Sequence, residues 1–375
     1  MSIRKHPGPV YCSLLLPTLL AFAGSGQAQD MFPLWGVWSG RMDDIEIRFC
    51  AQSDPRRGFN GDFAAIYTTR DYDIQLLDRE SGATLSPRFE RTEIVRIDML
   101  EDGSVRLEGS ASDLWSGVAL TPVTVEADRT PCVSDVFNAP RTFLPRPVIT
   151  PAELDGRAYE VISIIDPSGN GQVTTFRLRG DRTDATAINA RLTEALPQTA
   201  EEAPYYSCTL NALQFGAGSF WGHRIKPEWI TDRFIVVEDV EDVFCGGAHP
   251  SYSVEWYVLD METGEEIDTS TWIREDAFYE LGPYGGQNPE VGDPEVASEF
   301  RQLMIRAFDA TNPNPSCHDL LDIVETWQIR PSRNAIVLSP LGDLGAASGC
   351  AAELSFSIDA LKPYLTNLAL TAQGI

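Results

Sequence analysis

A proline-rich segment divides this sequence into two parts and limits how the chain can fold. Residues 138–151 read NAPRTFLPRPVITP and contain Pro140, Pro145, Pro147 and Pro151. Prolines at this density favour a stiff, extended conformation and interrupt helices and sheets. The chain has 375 residues, which is more than a single hydrophobic core usually holds. We therefore interpret residues 138–151 as a linker between two domains, 29–137 and 152–375.

The N-terminus carries the three-part pattern of a cleavable signal peptide. Arg4 and Lys5 form a positive start, the stretch 10–23 is mostly apolar, and Gly26 and Ala28 are small residues at the two cleavage-recognition positions. The apolar stretch is shorter than the roughly 20 residues of a membrane span. We predict that residues 1–28 are removed, that no membrane span remains, and that the protein is periplasmic or secreted.

Six cysteines follow this segment, and an even number in an exported chain indicates disulfide bonds. Sequence order favours one bridge in each region of the chain. The predicted pairs are Cys50–Cys132, Cys208–Cys245 and Cys317–Cys350. A zinc site is the alternative, but the sequence has no Cys-x-x-Cys pair. We expect no metal and no other cofactor.

The charge of the chain narrows the choice of partner. Its formal net charge is −26 at pH 7, which argues against nucleic acid or an anionic membrane surface as the partner. The same charge favours association with a basic protein, although many exported proteins are simply acidic.

The two domains differ in their hydrophobic patterns, and together they predict an α+β fold. In residues 29–137, short alternating segments such as 45–49 and 118–125 are separated by turn signals, which predicts an all-β barrel or sandwich. Gly36 and Trp38 are similar to the Gly-x-Trp signature of lipocalins. We place Trp35, Trp38 and Trp115 in the core or at the end of the barrel, with a ligand-lining role as the alternative. In residues 152–375, helical patterns at 183–196 and 294–310 alternate with predicted strands, which indicates a mixed sheet with packed helices.

The densest unusual run is Cys245-Gly246-Gly247-Ala248-His249-Pro250, followed by a strand that ends in Asp260-Met261-Glu262-Thr263-Gly264-Glu265. The two glycines permit positive φ in a tight loop between strands, and the proline stiffens its exit. The most economical interpretation of His249 is that its ring binds the backbone and holds this loop. Contact with a ligand is the alternative. For His223, near Trp221 and Lys226, we expect a position at a strand edge or in a loop.

This pair of patterns resembles the C-terminal domain family of the lysozyme-sensing anti-sigma factor RsiV and the peptidoglycan deacetylase PdaC. The resemblance covers roughly residues 155–367 and includes the late Leu361-Lys362-Pro363-Tyr364-Leu365 stretch. A Gly/Ala-rich stretch at 341–347 departs from the aromatic-rich strand of that family. The resemblance implies a binding module, with lysozyme or a cell-wall component as the ligand. Its candidate binding residues are Gly246, Gly247, Ala248, His249, Pro250, Thr263 and Gly264.

The sequence gives little support to catalysis. It contains no Gly-x-Ser-x-Gly elbow, no His-Glu-x-x-His motif and no phosphate-binding loop. We therefore assign no catalytic residue and favour a non-catalytic binding protein of the bacterial cell envelope. The alternative is a hydrolase that acts on envelope polymers through paired carboxylates, because carboxylates are abundant. The sharpest acidic cluster spans residues 238–242. We interpret it as a solvated hairpin; a calcium site is the alternative, but the spaced Asp-x-Asp-x-Asp-Gly loop is missing.

Overall fold

The computed structural model describes residues 34–52, 63–81, 84–87, 95–109, 116–126, 130–179, 184–274, 277, 299–311, 326–341 and 353–372. The predicted signal peptide, Trp115 and the predicted pair Cys317–Cys350 lie outside these residues. The described chain is α+β, as the sequence predicts, with a β-barrel followed by two sheets and several helices.

Eight antiparallel strands form a closed barrel in the first part of the chain, and the pairing of β1 with β8 closes it. The strands are β1 (Gly36–Met42), β2 (Ile45–Gln52), β3 (Phe63–Thr68), β4 (Gln75–Ser81), β5 (Thr84–Pro87), β6 (Val95–Met99), β7 (Val105–Glu108) and β8 (Ala119–Val123).

The period-two pattern of the strands separates the two sides of this barrel. Phe49 and Ile66 point into the barrel and belong to a cluster of apolar side chains that fills it. Their neighbours Cys50 and Tyr67 point outward into a second cluster. Trp38 is buried in the interior cluster, and its indole N–H donates to the Gly103 carbonyl at 3.1 Å. Its position matches the predicted core role, whereas Trp35 keeps 45% of its surface exposed and lies outside the core.

A short helical segment covers the outward side of the barrel. It comprises a 3₁₀ turn (Pro131–Val133) and α1 (Asp135–Asn138), and the Ser134 side chain caps α1 by accepting from the Phe137 N–H. Cys132 forms the predicted disulfide with Cys50. Asn138, the first residue of the predicted linker, is fully buried here. The later residues of that linker enter β9, and the division into two domains stays a prediction.

A six-stranded mixed sheet follows, in the order β14-β13-β12-β11-β10-β9. All its pairs are antiparallel except β11 with β12, which run parallel. The strands are β9 (Val148–Leu154), β10 (Arg157–Ile165), β11 (Gly171–Leu178), β12 (Phe220–Ile230), β13 (Phe234–Phe244) and β14 (Ser251–Asp260). Two helices between β11 and β12 pack on it: α2 (Asp184–Thr193) and α3 (Pro204–Gln214).

The C-terminal part forms a three-stranded antiparallel sheet with its own core. The strands are β15 (Thr326–Ser332), β16 (Ala335–Leu341) and β17 (Leu354–Ser357), and the helices are α4 (Glu299–Thr311), α5 (Ile358–Leu361) and α6 (Asn367–Ala372). Phe300, Met304 and Phe308 lie on one face of α4 and are fully buried in this core. None of the helices in the described ranges combines the length and apolar character that crossing a membrane requires.

Candidate functional site

The Gly-Gly-Ala-His loop connects β13 to β14 and is held firmly at its start. Cys245 forms the predicted disulfide with Cys208 of α3. Gly246 has a φ of +86°, and a Cβ at this position would lie 3.1 Å from the Cα of Ala212. Glycine is therefore required both by the backbone angle and by the close approach of α3.

The far end of the loop is exposed. His249 Nδ1 lies 3.0 Å from the carbonyl oxygen of Pro250, which agrees with the interpretation that its ring binds the backbone. Tyr252, two residues beyond Pro250, has 66% of its surface exposed. The loop thus presents an imidazole and a phenol ring to solvent from a base that a disulfide fixes.

The Thr-Gly turn lies at the other end of β14. Asp260 Oδ1 accepts hydrogen bonds from the backbone N–H groups of Glu262 and Thr263, both at 2.8 Å. Gly264 has a φ of +72°, and a Cβ there would lie 2.9 Å from the backbone of Ala187 in α2. These contacts give both residues a structural role: Thr263 closes the turn through Asp260, and Gly264 allows the turn to pack on α2.

The structure does not bring the two halves of the motif together. The ten residues of β14 separate them, a distance of about 30 Å at the rise of a strand. An open cleft lies between them, on the sheet face that carries α2.

This cleft has a volume of about 560 Å³. Strand register places Ile225, Asp239 and Glu255 side by side on three neighbouring strands. The end of α2, the segment after the turn and β15 close the sides. The lining residues are Arg191, Glu194, Ala195, His223, Ile225, Asp239, Glu255, Trp256, Tyr257, Glu266 and Gln328.

The cleft has an apolar floor and a charged rim. Ile225 belongs to the buried core beneath α2, and Tyr257 packs against that core. Burial raises the pKa of Tyr257 well above its ordinary value, and the charge of Asp239 adds to this effect. On the rim, Arg191 forms an ion pair with Glu266 at 2.9 Å. The lining as a whole carries four carboxylates, one guanidinium and one imidazole.

His223 and Asp239 form the central polar pair of the cleft. His223 Nε2 lies 2.8 Å from Asp239 Oδ1. Because an ionised carboxylate can only accept, Nε2 carries the hydrogen. This hydrogen bond raises the pKa of His223 above its ordinary value, and burial partly opposes the rise. Both side chains keep about a fifth of their surface exposed, 21% and 24%, so solvent and ligands can reach them.

The acidic cluster at residues 238–242 is divided between two faces of the sheet. Glu238 points away from the cleft and forms an ion pair with Lys226 at 2.7 Å. Asp239 and Glu241 occupy the alternate positions, on the face of the cleft. The cluster lies within β13, an interior strand of antiparallel hairpins, and its carboxylates are half-buried or exposed. In the described parts of the chain, no three His, Cys, Asp or Glu side chains come close enough to hold a metal ion.

No sequence motif marks the cleft or the pair at its centre. The sequence suggested a strand edge or loop for His223, whereas the structure places it inside β12. The alternation of Phe220, Gly222 and Arg224 with Trp221, His223 and Ile225 was the available signal. Pro227 and several charged residues in β12 obscured it.

Comparison with known proteins identifies distant structural neighbours only. No family model matches the chain, and no curated protein matches it. A DUF3298 family protein from Pseudomonas aeruginosa PAO1 is 14% identical, with a TM-score of 0.33, and the match covers 60% of this chain and 95% of that one. A DUF3298 member from Bacteroides fragilis NCTC 9343 is 12% identical, with a TM-score of 0.36, covering 62% and 98%. Likeness at this level carries no argument about function, and the resemblance to the RsiV and PdaC domain stays a prediction.

Proposed function

We propose that this chain is an exported, non-catalytic binding protein of the bacterial cell envelope that recognises a basic protein, such as lysozyme, through the acidic cleft. The observation that carries the proposal is the composition of the cleft, in which Asp239, Glu255, Glu266 and Glu194 face the single guanidinium of Arg191. The net charge of −26 extends the same potential over the whole molecule and would attract a cationic partner over a distance.

The shape of the cleft suits a cationic side chain. Its open mouth gives access from solvent, and its apolar floor at Ile225 and Tyr257 can cover an aliphatic stem. Lysine and arginine bury such stems along apolar surface and keep their charged groups near polar partners. Asp239 and Glu255, which are paired across β13 and β14, provide the acceptors for that charged group.

The Gly-Gly-Ala-His loop is a second part of the proposed surface. A typical interface covers about 800 Å² on each partner, which is enough to include the cleft and the end of the sheet nearest the loop. The exposed rings of His249 and Tyr252 are then rim contacts, whereas Thr263 and Gly264 support the turn that precedes Glu266.

The test is a binding measurement on the mature chain, residues 29–375, with lysozyme as the probe at fixed ionic strength. We expect Asp239→Asn and Glu255→Gln each to weaken binding about 5- to 10-fold, because each removes one charge from the cleft. Glu153→Gln is the matched control, since it removes an exposed charge from β9 at the opposite edge of the sheet. Equal losses in all three variants would show that only net charge matters and would contradict a specific site.

The loop is tested separately with His249→Ala. Loss of binding in a folded variant would place His249 in the interface. Unchanged binding would remove it and leave the cleft as the recognition site.

The second candidate function is the carboxylate-dependent hydrolase, and one observation favours it. Asp239 and Glu255 are cross-strand partners, with Cβ atoms about 4.5–5.5 Å apart in such pairs. Glycosidases use two carboxyl groups at comparable separations. Release of soluble fragments from peptidoglycan by the mature chain, abolished in Glu255→Gln, would establish this activity over the binding role.

A further inference from the structure

His223 occupies a position from which it can control the charge of the cleft. It lies on β12, an interior strand, and its side chain reaches Asp239 on β13. In the described structure the ring makes its hydrogen bond to protein through Nε2 alone, and Nδ1 has no such partner. Asp239 uses only Oδ1 for this bond, so Oδ2 retains its capacity to accept from a ligand.

The elements packed around His223 contribute charged or titratable groups, except β11, whose register neighbour is Val173, and β15, which contributes Gln328. Strand β13 contributes Asp239 and Glu241, and β14 contributes Glu255 and Tyr257. The end of α2 and the segment after the turn add Arg191, Glu194 and Glu266. Negative charge predominates in this set, so a proton on the ring changes the field of the cleft substantially.

We propose that His223 is a pH gate for the acidic cleft, so that a cationic side chain binds when the imidazole is neutral and is released when the imidazole is charged. This inference rests on the proposed function, because it assigns a regulation to the same site. The neutral ring donates one hydrogen bond to Asp239 and leaves that carboxylate its full charge for the ligand. The imidazolium neutralises Asp239 as an ion pair and repels the incoming cation.

The coupling is reciprocal. If a proton on His223 weakens cation binding, then a bound cation must by linkage weaken proton binding to His223 by the same factor. Coupling between sites is commonly about 5-fold or more, and the close approach of the imidazole to Asp239 supports a value in this range. The gate can therefore be measured in two separate ways, through the affinity for the cation and through the titration of the histidine.

The experiment compares the wild-type mature chain with His223→Gln. Glutamine keeps a polar N–H near Asp239 but cannot gain a charge in this pH range. We expect the Kd of the wild type for lysozyme to rise about 5-fold or more between about pH 8 and about pH 5.5, and the Kd of His223→Gln to vary much less. His249→Gln serves as the comparison for pH dependence, because it removes a loop histidine and leaves His223 in place.

Three outcomes separate the gate from the proposed function. If lysozyme binds both proteins with the same pH dependence, the gate is wrong and the binding role survives. If lysozyme fails to bind at every pH, the binding role is wrong, and argininamide replaces it as the probe in an NMR titration of the His223 ring. A lower pKa of His223 in the presence of argininamide supports the gate, and an unchanged pKa overturns it. His223→Asn repeats the measurement if the glutamine variant does not fold.

Discussion

Cys208 of α3 is joined by a disulfide bond to Cys245, the first residue of the Gly-Gly-Ala-His loop. The two residues are 37 positions apart in sequence, and the helix lies directly against Gly246. The disulfide and the contact at Gly246 therefore hold the start of the loop against α3.

Removing this disulfide should destabilise the protein considerably. A bridge that closes a loop of this length contributes about 3–4 kcal/mol on the chain-entropy model. We expect the Cys208→Ala, Cys245→Ala double variant to lose about that amount of unfolding free energy, measured by denaturant titration. A change below about 1 kcal/mol would show that the bridge adds little. Titration of free thiols in the native wild type provides the control for the oxidised state.

Gly264 should be among the least replaceable glycines in the chain. Gly264→Ala combines a positive φ with a Cβ placed 2.9 Å from the Ala187 backbone, and we expect a cost of about 2–4 kcal/mol. Gly169→Ala is the matched control, because its φ of +76° is similar but nothing lies within 4 Å of the added Cβ. It should cost only about 1 kcal/mol. Equal losses of stability in the two variants, measured by thermal unfolding, would contradict a role for the contact between Gly264 and α2.

Leu213 should couple the barrel to the rest of the chain. This residue of α3 is fully buried in the cluster that surrounds the Cys50–Cys132 bridge on the outside of the barrel. Leu213→Ala should cost about 2–5 kcal/mol, because it opens a cavity between the two parts. In calorimetry, we expect the wild type to unfold in one transition and Leu213→Ala to unfold in two. A single transition at an unchanged temperature would contradict this coupling.

The hydrogen bond from His223 to Asp239 should set the pKa of the histidine. Asp239→Asn removes the charge and weakens the bond, so the pKa of His223 should fall, as measured by NMR titration.

The raised pKa of His223 also makes a prediction for stability. The folded state of the wild type gains stability from the charged ring below about pH 6.5, and it loses this gain as the pH rises through the folded pKa. Asp239→Asn should flatten this part of the stability profile, and a pKa of His223 that does not change would contradict the assignment.

Local sequence patterns were sufficient to predict many elements of the fold. The helical spacing of Phe300, Met304 and Phe308 predicted α4, whose apolar face forms the C-terminal core. Alternation and turn signals predicted the β-rich first part, and the cysteine order predicted both described disulfides. These signals are local because each arises from the period of one element or from one feature of the chain.

The cleft could not be predicted in the same way. Arg191, His223, Asp239, Glu255 and Gln328 come from five different elements. The register of three strands and the packing of α2 and β15 bring them together, and neither is encoded in a short motif. The conspicuous Gly-Gly-Ala-His and Thr-Gly patterns instead mark the backbone turns at the two ends of β14.

The most direct test of the central claim is amide hydrogen exchange of the mature chain with and without lysozyme, because it locates the bound surface without any substitution. We predict increased protection around residues 223–225, 239–241 and 254–257, which line the cleft, with no change in the barrel strands. Protection confined to the barrel, or no protection at lysozyme concentrations that saturate binding, would contradict the assignment of the cleft as the recognition site.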